Sequence, residues 1–413
     1  MRGLPAAYWR LWASSAVSNL ADGVFFIALP LLAVRLTDSP VLVAGVAIAG
    51  RLPWLVFVLV AGALADRLDR RRTMRNVQLF RVAVVGILAV LAMLDALSLP
   101  VLYVAAFVLG VGETMFDTAA QSIMPSIVPK EQLATANGRL YAVELIMNQF
   151  VGPPLGGLLI GLSVPLALSG SVAGYALAAL GLTLISGSFR PERAGPPTRL
   201  TTDIAEGLRY LWRHRVLRTL AIMVGVMNLA STATFAVFVL YAVAPGPMGL
   251  SEPAFGILLT SFALGSLAGS LVAARLEARL GRVPVLFASV VVMSAGIAVP
   301  ALTTNPVVVG AAFAISGLFI VVWNVITVSL RQRIVPNHLL GRVNAGYRLF
   351  AWGTQPIGAL LGGVAGETLG LRAVFLIFGA LGFFLLLARI VIDEPALRRA
   401  EEQSTSLATP AGA

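Results

Sequence analysis

The sequence has no cysteine and only two histidines among its 413 residues, which excludes a disulfide framework and a thiolate metal site, so that no metal centre is expected. Charge is scarce as well. Charged residues make up 12% of the chain and hydrophobic ones 58%, where an ordinary soluble domain carries about 25% and 45–50%. That composition excludes a water-soluble globular fold. No G-x-x-x-x-G-K-[ST] phosphate loop is present, so ATP does not drive the chain. The long polar loops or ordered extramembrane domain that a membrane-embedded enzyme uses are missing too, and no enzymatic role is expected.

What the sequence does have is length in apolar runs. Stretches of about 20 residues recur throughout, each able to cross a hydrocarbon layer of about 30 Å as a helix. The spans read 8–34, 41–65, 74–95, 100–122, 136–161 and 164–187, then 216–243, 253–276, 282–303, 306–330, 343–367 and 370–392. The first begins like a signal peptide, but its apolar run continues through Val34 and is too long for one. Net charge is +11, and its placement points away from nucleic acid. With the N-terminus inside, all of the Lys and Arg fall on the cytoplasmic side except Arg35 and Arg372 outside and Arg51 and Arg81 within the membrane. This positive-inside bias predicts a multi-pass protein of a bacterial inner membrane with both termini cytoplasmic. Trp9, Trp12, Trp54 and Trp212 read as interfacial anchors, and His214 and His338 fall in cytoplasmic loops.

The second half of the chain repeats the first. At an offset of 207 residues Gly62 matches Gly269, Arg72 matches Arg279, Ile127-Val128-Pro129 match Ile334-Val335-Pro336, and Asn137 matches Asn344. At an offset of 209, Asn19-Leu20-Ala21 returns as Asn228-Leu229-Ala230. Six helices per copy is an even number, so both copies enter from one side and are related by an axis along the membrane normal. Such a pair leaves an interface at mid-membrane that can open to either face. The expected domains are a six-helix bundle over 1–187, a cytoplasmic linker over 188–215, a second bundle over 216–392 and a disordered cytoplasmic tail over 393–413. Within the linker, Thr201, Thr202 and Asp203 precede Ile204, Leu208 and Leu211 on one face, the pattern of an amphipathic helix lying on the membrane surface.

Two motifs stand out. Gly62, Asp66, Arg67, Arg70, Arg71 and Arg72 crowd the loop after the second span, and Gly152-Pro153-Pro154-Leu155-Gly156-Gly157 interrupts the fifth. Small residues let backbones approach closely and prolines bend a helix, which suits a moving interface. The first string resembles the loop 2-3 signature of the major facilitator superfamily, G-x-L-x-D-R-x-x-R-R. The second resembles the antiporter signature of the superfamily's drug efflux branch. With the repeat, the resemblance covers residues 8–392, and the phrases LADGVFFIALPLL, RRRTM and VGPPLGG look most like its macrolide and siderophore exporters. It implies the major facilitator fold, an all-α membrane protein with twelve transmembrane helices in two pseudo-twofold bundles. Two departures stand against it. The usual helix 4 arginine is absent, and Ala273 replaces the acid in the second copy of the loop signature.

Ionisable residues within a membrane are costly and are functional candidates. Those read as lying within the membrane are Asp22, Arg51, Arg81, Glu113, Asp117 and Glu144, all in the first half. Glu113 and Asp117, four apart, share a helix face. The repeat pairs Asp22 with Ser231 and Asp117 with Asn324, keeping polarity and discarding the titratable group. Proton coupling is therefore expected from Asp22, Glu113, Asp117 or Glu144, with Arg51 and Arg81 as counter-ions. The plainer alternative is that Asp22 with Arg51, and Asp117 with Arg81, are buried ion pairs that only hold helices together. The resemblance places helices 1, 4, 7 and 10 around the cavity, so Asn19, Asp22, Glu113, Asn228, Trp323 and Asn324 are expected to line it.

These readings predict a secondary active transporter that uses a proton gradient and no other cofactor. Its cargo would be small amphipathic molecules of drug, macrolide or siderophore type, exported by alternating access from a monomer in the lipid bilayer. A facilitator or importer is the alternative within transport, and a non-transporting sensor or scaffold the alternative outside it.

Overall fold

The computed structural model describes residues 4–65, 68–129, 132–185, 187, 189 and 200–408. The side chains of 58–65, 117–118, 121–122, 125, 134, 200–204, 337–338, 341, 345 and 403–408 lie outside that description. Helices account for nearly all of it, because a chain in hydrocarbon must satisfy its backbone groups internally. In order they are α1 (Ala6–Leu36), α2 (Pro40–Ala65), α3 (Arg70–Met93), α4 (Leu99–Ile127), α5 (Leu133–Leu145), α6 (Gly152–Leu162), α7 (Val164–Thr183) and α8 (Leu200–Arg213). Then follow α9 (Arg215–Ala242), α10 (Glu252–Leu280), α11 (Arg282–Leu302), α12 (Pro306–Ile334), α13 (Asn337–Leu369), α14 (Leu371–Phe384) and α15 (Glu394–Ala408).

A π-helical turn, Ile146–Val151, joins α5 to α6, so the fifth span is one helix with an interruption just before Pro153 and Pro154. Those prolines lack the N–H that a regular helix would use, and the wider turn accommodates them. Among the described residues eleven helices are long and apolar enough to cross a membrane. The 33-residue α13, eleventh in chain order, brings the spans to twelve, its apolar surface broken by Arg342, Arg348, Gln355 and Glu367. Large apolar side chains such as Ile87, Leu162, Leu271 and Phe384 are exposed, the outward face that a lipid solvent requires.

Prolines and glycines punctuate the spans. Pro306 opens α12 behind Asn305, whose side chain accepts the Val307 N–H at 2.9 Å. Gly281 and Gly370 turn the chain at φ of 84° and 85°, a left-handed conformation that a Cβ disfavours.

Contacts divide the chain into two units, Met1–Gly195 with Val239–Thr260, and Pro196–Phe238 with Ser261–Ala413. One boundary, 195/196, lies within the 188–215 linker, and the other two cut α9 and α10. The duplicated pattern survives inside each unit. In the first, Asn148 Nδ2 reaches Asn19 Oδ1 at 3.4 Å; in the second, Asn228 Nδ2 donates to the Ala351 carbonyl at 2.9 Å. Each bond ties the first helix of a copy to its fifth.

Two peripheral expectations are corrected. The expected disordered tail is largely α15. Leu397 and Ala400 are buried, and Arg282 pairs with Glu401 at 2.5 Å and with Glu394 at 3.6 Å. Arg333 adds a third contact to Glu401 at 3.7 Å. The polar composition of this segment concealed one apolar edge that the bundle covers. The amphipathic α8 forms where expected, but its apolar face packs on α13 instead of lying free for lipid. Leu211 is fully buried, a Cβ on Gly207 would meet the Arg342 carbonyl, and Glu206 pairs with Arg342 at 2.5 Å.

Candidate functional site

Along α1, Ser15, Ser18, Asn19 and Asp22 recur at i, i+3, i+4 and i+7, which places four polar side chains on one face of an apolar helix. Each is answered from a neighbouring helix or by the next of the four. Gln78 Nε2 of α3 donates to Ser18 Oγ at 2.7 Å in a fully buried contact. Ser15 Oγ lies 3.4 Å from Glu144 Oε1 of α5, and Asn19 Nδ2 donates to the Ser15 carbonyl at 2.9 Å.

Asp22 ends this strip. Arg81 Nη1 of α3 donates to its Oδ1 at 3.1 Å and its Oδ2 at 3.3 Å, and the Tyr175 hydroxyl of α7 donates to Oδ1 at 2.8 Å. The Arg81 guanidinium lies 5.4 Å from the ring centres of both Phe116 and Tyr175, so aromatic faces and a carboxylate share its charge. Arg81 is buried while Asp22 remains partly open. The expected partner of Asp22 is corrected: it pairs with Arg81 and not with Arg51, because α1 and α3 both pack on α7. The side chain of Asp117 lies outside the described residues, so its expected pairing and the face it shares with Glu113 do too.

Glu113 differs from Asp22. It is solvent-accessible although enclosed by neighbouring protein. Arg51, Asp22 and Arg81 are near enough to act on it electrostatically. Among the described residues neither Glu113 nor Arg51 makes a hydrogen bond or an ion pair. One carboxylate in this unit is thus held on two sides and another is held by none.

The glycines of α6 serve two neighbours. A Cβ on Gly152 would lie 2.6 Å from Gly23 Cα, and one on Gly156 would lie 2.8 Å from the Val24 carbonyl, both on α1. Gly157 faces the other way, where a Cβ would stand 2.4 Å from the Glu252 carbonyl of α10, and Gly256 of α10 meets the Pro153 carbonyl at 2.3 Å in the same sense. Arg35, at the end of α1, closes the group by donating from Nη2 to Glu252 Oε1 at 2.6 Å. The motif is a spacer between α1 and the start of α10.

In the loop before α3, Asp66 and Arg67 lie outside the described residues, as do the surroundings of Gly62. Asp69 caps α3 by accepting the Arg72 N–H at 2.9 Å, and it also accepts the Phe189 N–H at 2.9 Å. Burial alone would push its carboxyl up, but these two amides together with the charges of Arg71 and Arg72 hold it below the ordinary carboxylate range. Arg71 donates to the Ile185 carbonyl and Arg70 to Ser126 Oγ at 3.4 Å. This loop is stitched to the end of the sixth span.

In the second unit Asn324 is exposed, Asn228 is half-buried and Trp323 is buried in the core with Met227, Val322 and Ile326. Trp323 is packed into the bundle interior. Burial pushes the His214 imidazole below its ordinary value. Among the described residues no group of three or more metal-ligating side chains stands together.

Ser15, Ser18, Gln78 and Tyr175 were not anticipated. The i, i+3, i+4, i+7 polar spacing in α1 is the signal that would have found the first two. Tyr175 and Gln78 carry none, since each is a single polar group in an otherwise unexceptional helix.

The sequence profile of the transmembrane secretion effector family matches residues 5–411. The multidrug efflux pump Tap of Mycobacterium tuberculosis is 31% identical over 397 residues, 93% of this chain and 92% of that protein. Its counterpart in Mycolicibacterium fortuitum is 28% identical over 404 residues, 93% and 95%. Macrolide efflux protein A of Streptococcus pyogenes is 22% identical over 396 residues, 94% and 96%. Among solved structures, a bacterial homologue of the iron transporter ferroportin in its inward-facing state superposes with a TM-score of 0.73 at 17% identity, over 97% of this chain and 100% of that one. The nucleoside transporter NupG superposes with a TM-score of 0.72 at 13% identity, over 93% and 98%.

Proposed function

Given that the chain belongs to the transmembrane secretion effector family of major facilitator transporters, we propose that it exports small amphipathic molecules in exchange for protons, with Glu113 as the proton carrier. The family makes it a multi-pass secondary transporter for a small-molecule substrate, not an enzyme. The observation that carries the proton assignment is the contrast between the two carboxylates. Asp22 is committed to Arg81 and Tyr175, while Glu113 is accessible and unpaired among the described residues. An accessible acid in low dielectric exchanges either with a proton or with a cationic group of the cargo, and a site that holds only one of them at a time is an antiporter.

A proton moving down 100 mV supplies about 2.3 kcal/mol, enough to sustain an outward gradient of about fifty-fold for a neutral solute. The efflux pumps with which the chain aligns over most of their length support the outward direction. The basic loops support an orientation with both termini in the cytoplasm of a bacterial inner membrane. Two related halves in one chain support a working monomer, and the cytoplasmic placement of the positive charge weighs against nucleic acid as a partner. Asn19, Asn228 and Asn324 are assigned to substrate contacts, and Glu144, held by Ser15, is the second-ranked acid.

The test is efflux of a fluorescent cationic dye from energised cells. The unaltered chain is compared with Glu113→Gln, Asp22→Asn, Asp117→Asn and Glu144→Gln, with and without a protonophore. Loss of efflux with the protonophore and in Glu113→Gln, at normal membrane insertion, supports the assignment. Efflux that survives both overturns it and leaves a facilitator.

A further inference from the structure

The second unit has a cationic cluster that the mechanism above does not use. Arg331, near the end of α12, lies with its guanidinium carbon 3.8 Å from the ring centre of Tyr347 on α13. Arg348, the next residue along, is near enough to repel Arg331, and its own guanidinium stands 5.7 Å from the Trp352 ring. No acid pairs with either arginine among the described residues. Arg331 Nε and the Tyr347 hydroxyl are buried, and neither has a hydrogen-bond partner beyond the other's side chain.

The repeat shows that this is not a requirement of the fold. At the offset of 207, Arg331 and Tyr347 correspond to Met124 and Leu140, which pack together in an apolar cluster of the first unit. The same position in one half is plain apolar packing and in the other is an arginine on an aromatic face. Two guanidinium groups near enough to repel each other, one of them partly buried and neither paired with an acid among the described residues, are unfavourable unless an anion joins them. The ring occupies one face of Arg331, and its remaining N–H groups lie in the guanidinium plane, away from that face. Those donors form a fork that matches two oxygens of one anion.

We propose that Arg331, Tyr347 and Arg348 form an oxyanion-binding subsite, taking a phosphate or carboxylate group supplied either by a lipid headgroup or by a free solute. Trp352, exposed beside Arg348, gives the ligand an apolar flank. This inference is independent of proton coupling and of the direction of transport.

The experiment uses the full chain in nanodiscs and reads its thermal unfolding. One arm titrates inorganic phosphate into discs of zwitterionic lipid; the other compares those discs with discs containing phosphatidylglycerol. The subsite predicts a rise in unfolding temperature in at least one arm. That rise should need at least about tenfold more anion in Arg331→Gln, since a charge-assisted hydrogen bond is worth about 1.5–3 kcal/mol. Arg331→Lys, with the charge but not the fork, should fall between. A rise only with phosphate identifies a free solute, and a rise only with phosphatidylglycerol identifies a headgroup. If Arg331→Gln fails to insert, Arg348→Gln takes its place with the same expectation. No rise in either arm, or an equal rise in the variants, overturns the proposal.

Discussion

Arg81 Nη1 stands 3.1 Å from Asp22 Oδ1, with the arginine 3% and the aspartate 28% exposed. The two ends of this pair therefore differ in what their removal costs. Deleting the carboxylate takes a paired acid from a buried guanidinium, at up to about 3–5 kcal/mol, whereas deleting an accessible acid that makes no ion pair among the described residues breaks no such pair. Asp22→Asn is expected to lower the unfolding temperature and Glu113→Gln to leave it nearly unchanged while abolishing proton-driven efflux. Thermal unfolding and dye efflux measured on the same preparations separate the two. Equal destabilisation by both substitutions would place Glu113 in the framework with Asp22.

Tyr175 donates to the oxygen of Asp22 that Arg81 also holds. Tyr175→Phe removes one bond and retains the ring over the guanidinium, so a stability loss of about 1 kcal/mol is expected. If Asp22 also titrates during transport, the pH profile of efflux will move in this variant. If Asp22 is only structural, the profile will stay where it is.

The glycines of α6 allow backbone contact on two sides, and their replacement is graded by what a Cβ meets. Gly157→Ala places a methyl 2.4 Å from the Glu252 carbonyl and Gly152→Ala one 2.6 Å from Gly23 Cα, whereas Gly86→Ala meets nothing within 4 Å. The first two substitutions must push helices apart, at about 1–3 kcal/mol for overpacking. Efflux is expected to fall in both and to persist in Gly86→Ala. Normal efflux in Gly157→Ala would mean that α10 leaves this position during the working cycle without resistance.

Arg35 and Glu252 sit beside that contact, with Arg35 44% exposed. A pair so open contributes about 0–1 kcal/mol, too little to change insertion but enough to bias an equilibrium between two conformations. Arg35→Glu is expected to slow efflux by no more than a few-fold, and the swap Arg35→Glu with Glu252→Arg to restore it. A single variant with unchanged transport and an unchanged salt dependence would remove the pair from the cycle.

The spans and the repeat were legible because a bilayer imposes length and apolarity on every crossing segment, and duplication leaves matched glycines and asparagines at fixed offsets. The acids of the first half were legible for the same reason, since a charge in an apolar run is conspicuous. Their partners were not. Nothing in the order of the helices says that α7 touches both α1 and α3, so the sequence offers Arg51 as a partner for Asp22 and gives no sign of the donor Tyr175. Arg331 escaped notice because it lies one residue beyond the expected end of the tenth span, where it read as another inside positive charge. The amphipathic pattern of α8 was visible, but periodicity does not distinguish a face that meets lipid from one that meets α13.

Asp69 offers a readout in the loop before α3. Its carboxyl is held below the ordinary range by the Arg72 and Phe189 amides and the adjacent arginines. A carboxyl whose folded value is depressed contributes stability at neutral pH that is lost as pH falls through that folded value. Protonation should therefore loosen the loop only at acid pH, below the range in which exposed carboxyls titrate. Asp69→Ala removes the cap, worth about 1 kcal/mol, and also leaves the Phe189 N–H unanswered. It should lower the unfolding temperature at pH 7 and flatten the acid limb of the stability curve. Asp69→Asn still caps the helix but cannot ionise, so it should keep more of the stability at pH 7 and show the same flattening. Were the acid limb to persist unchanged in Asp69→Asn, another carboxylate would be responsible for it, and the tie between loop and sixth span would rest on Arg70 and Arg71 alone.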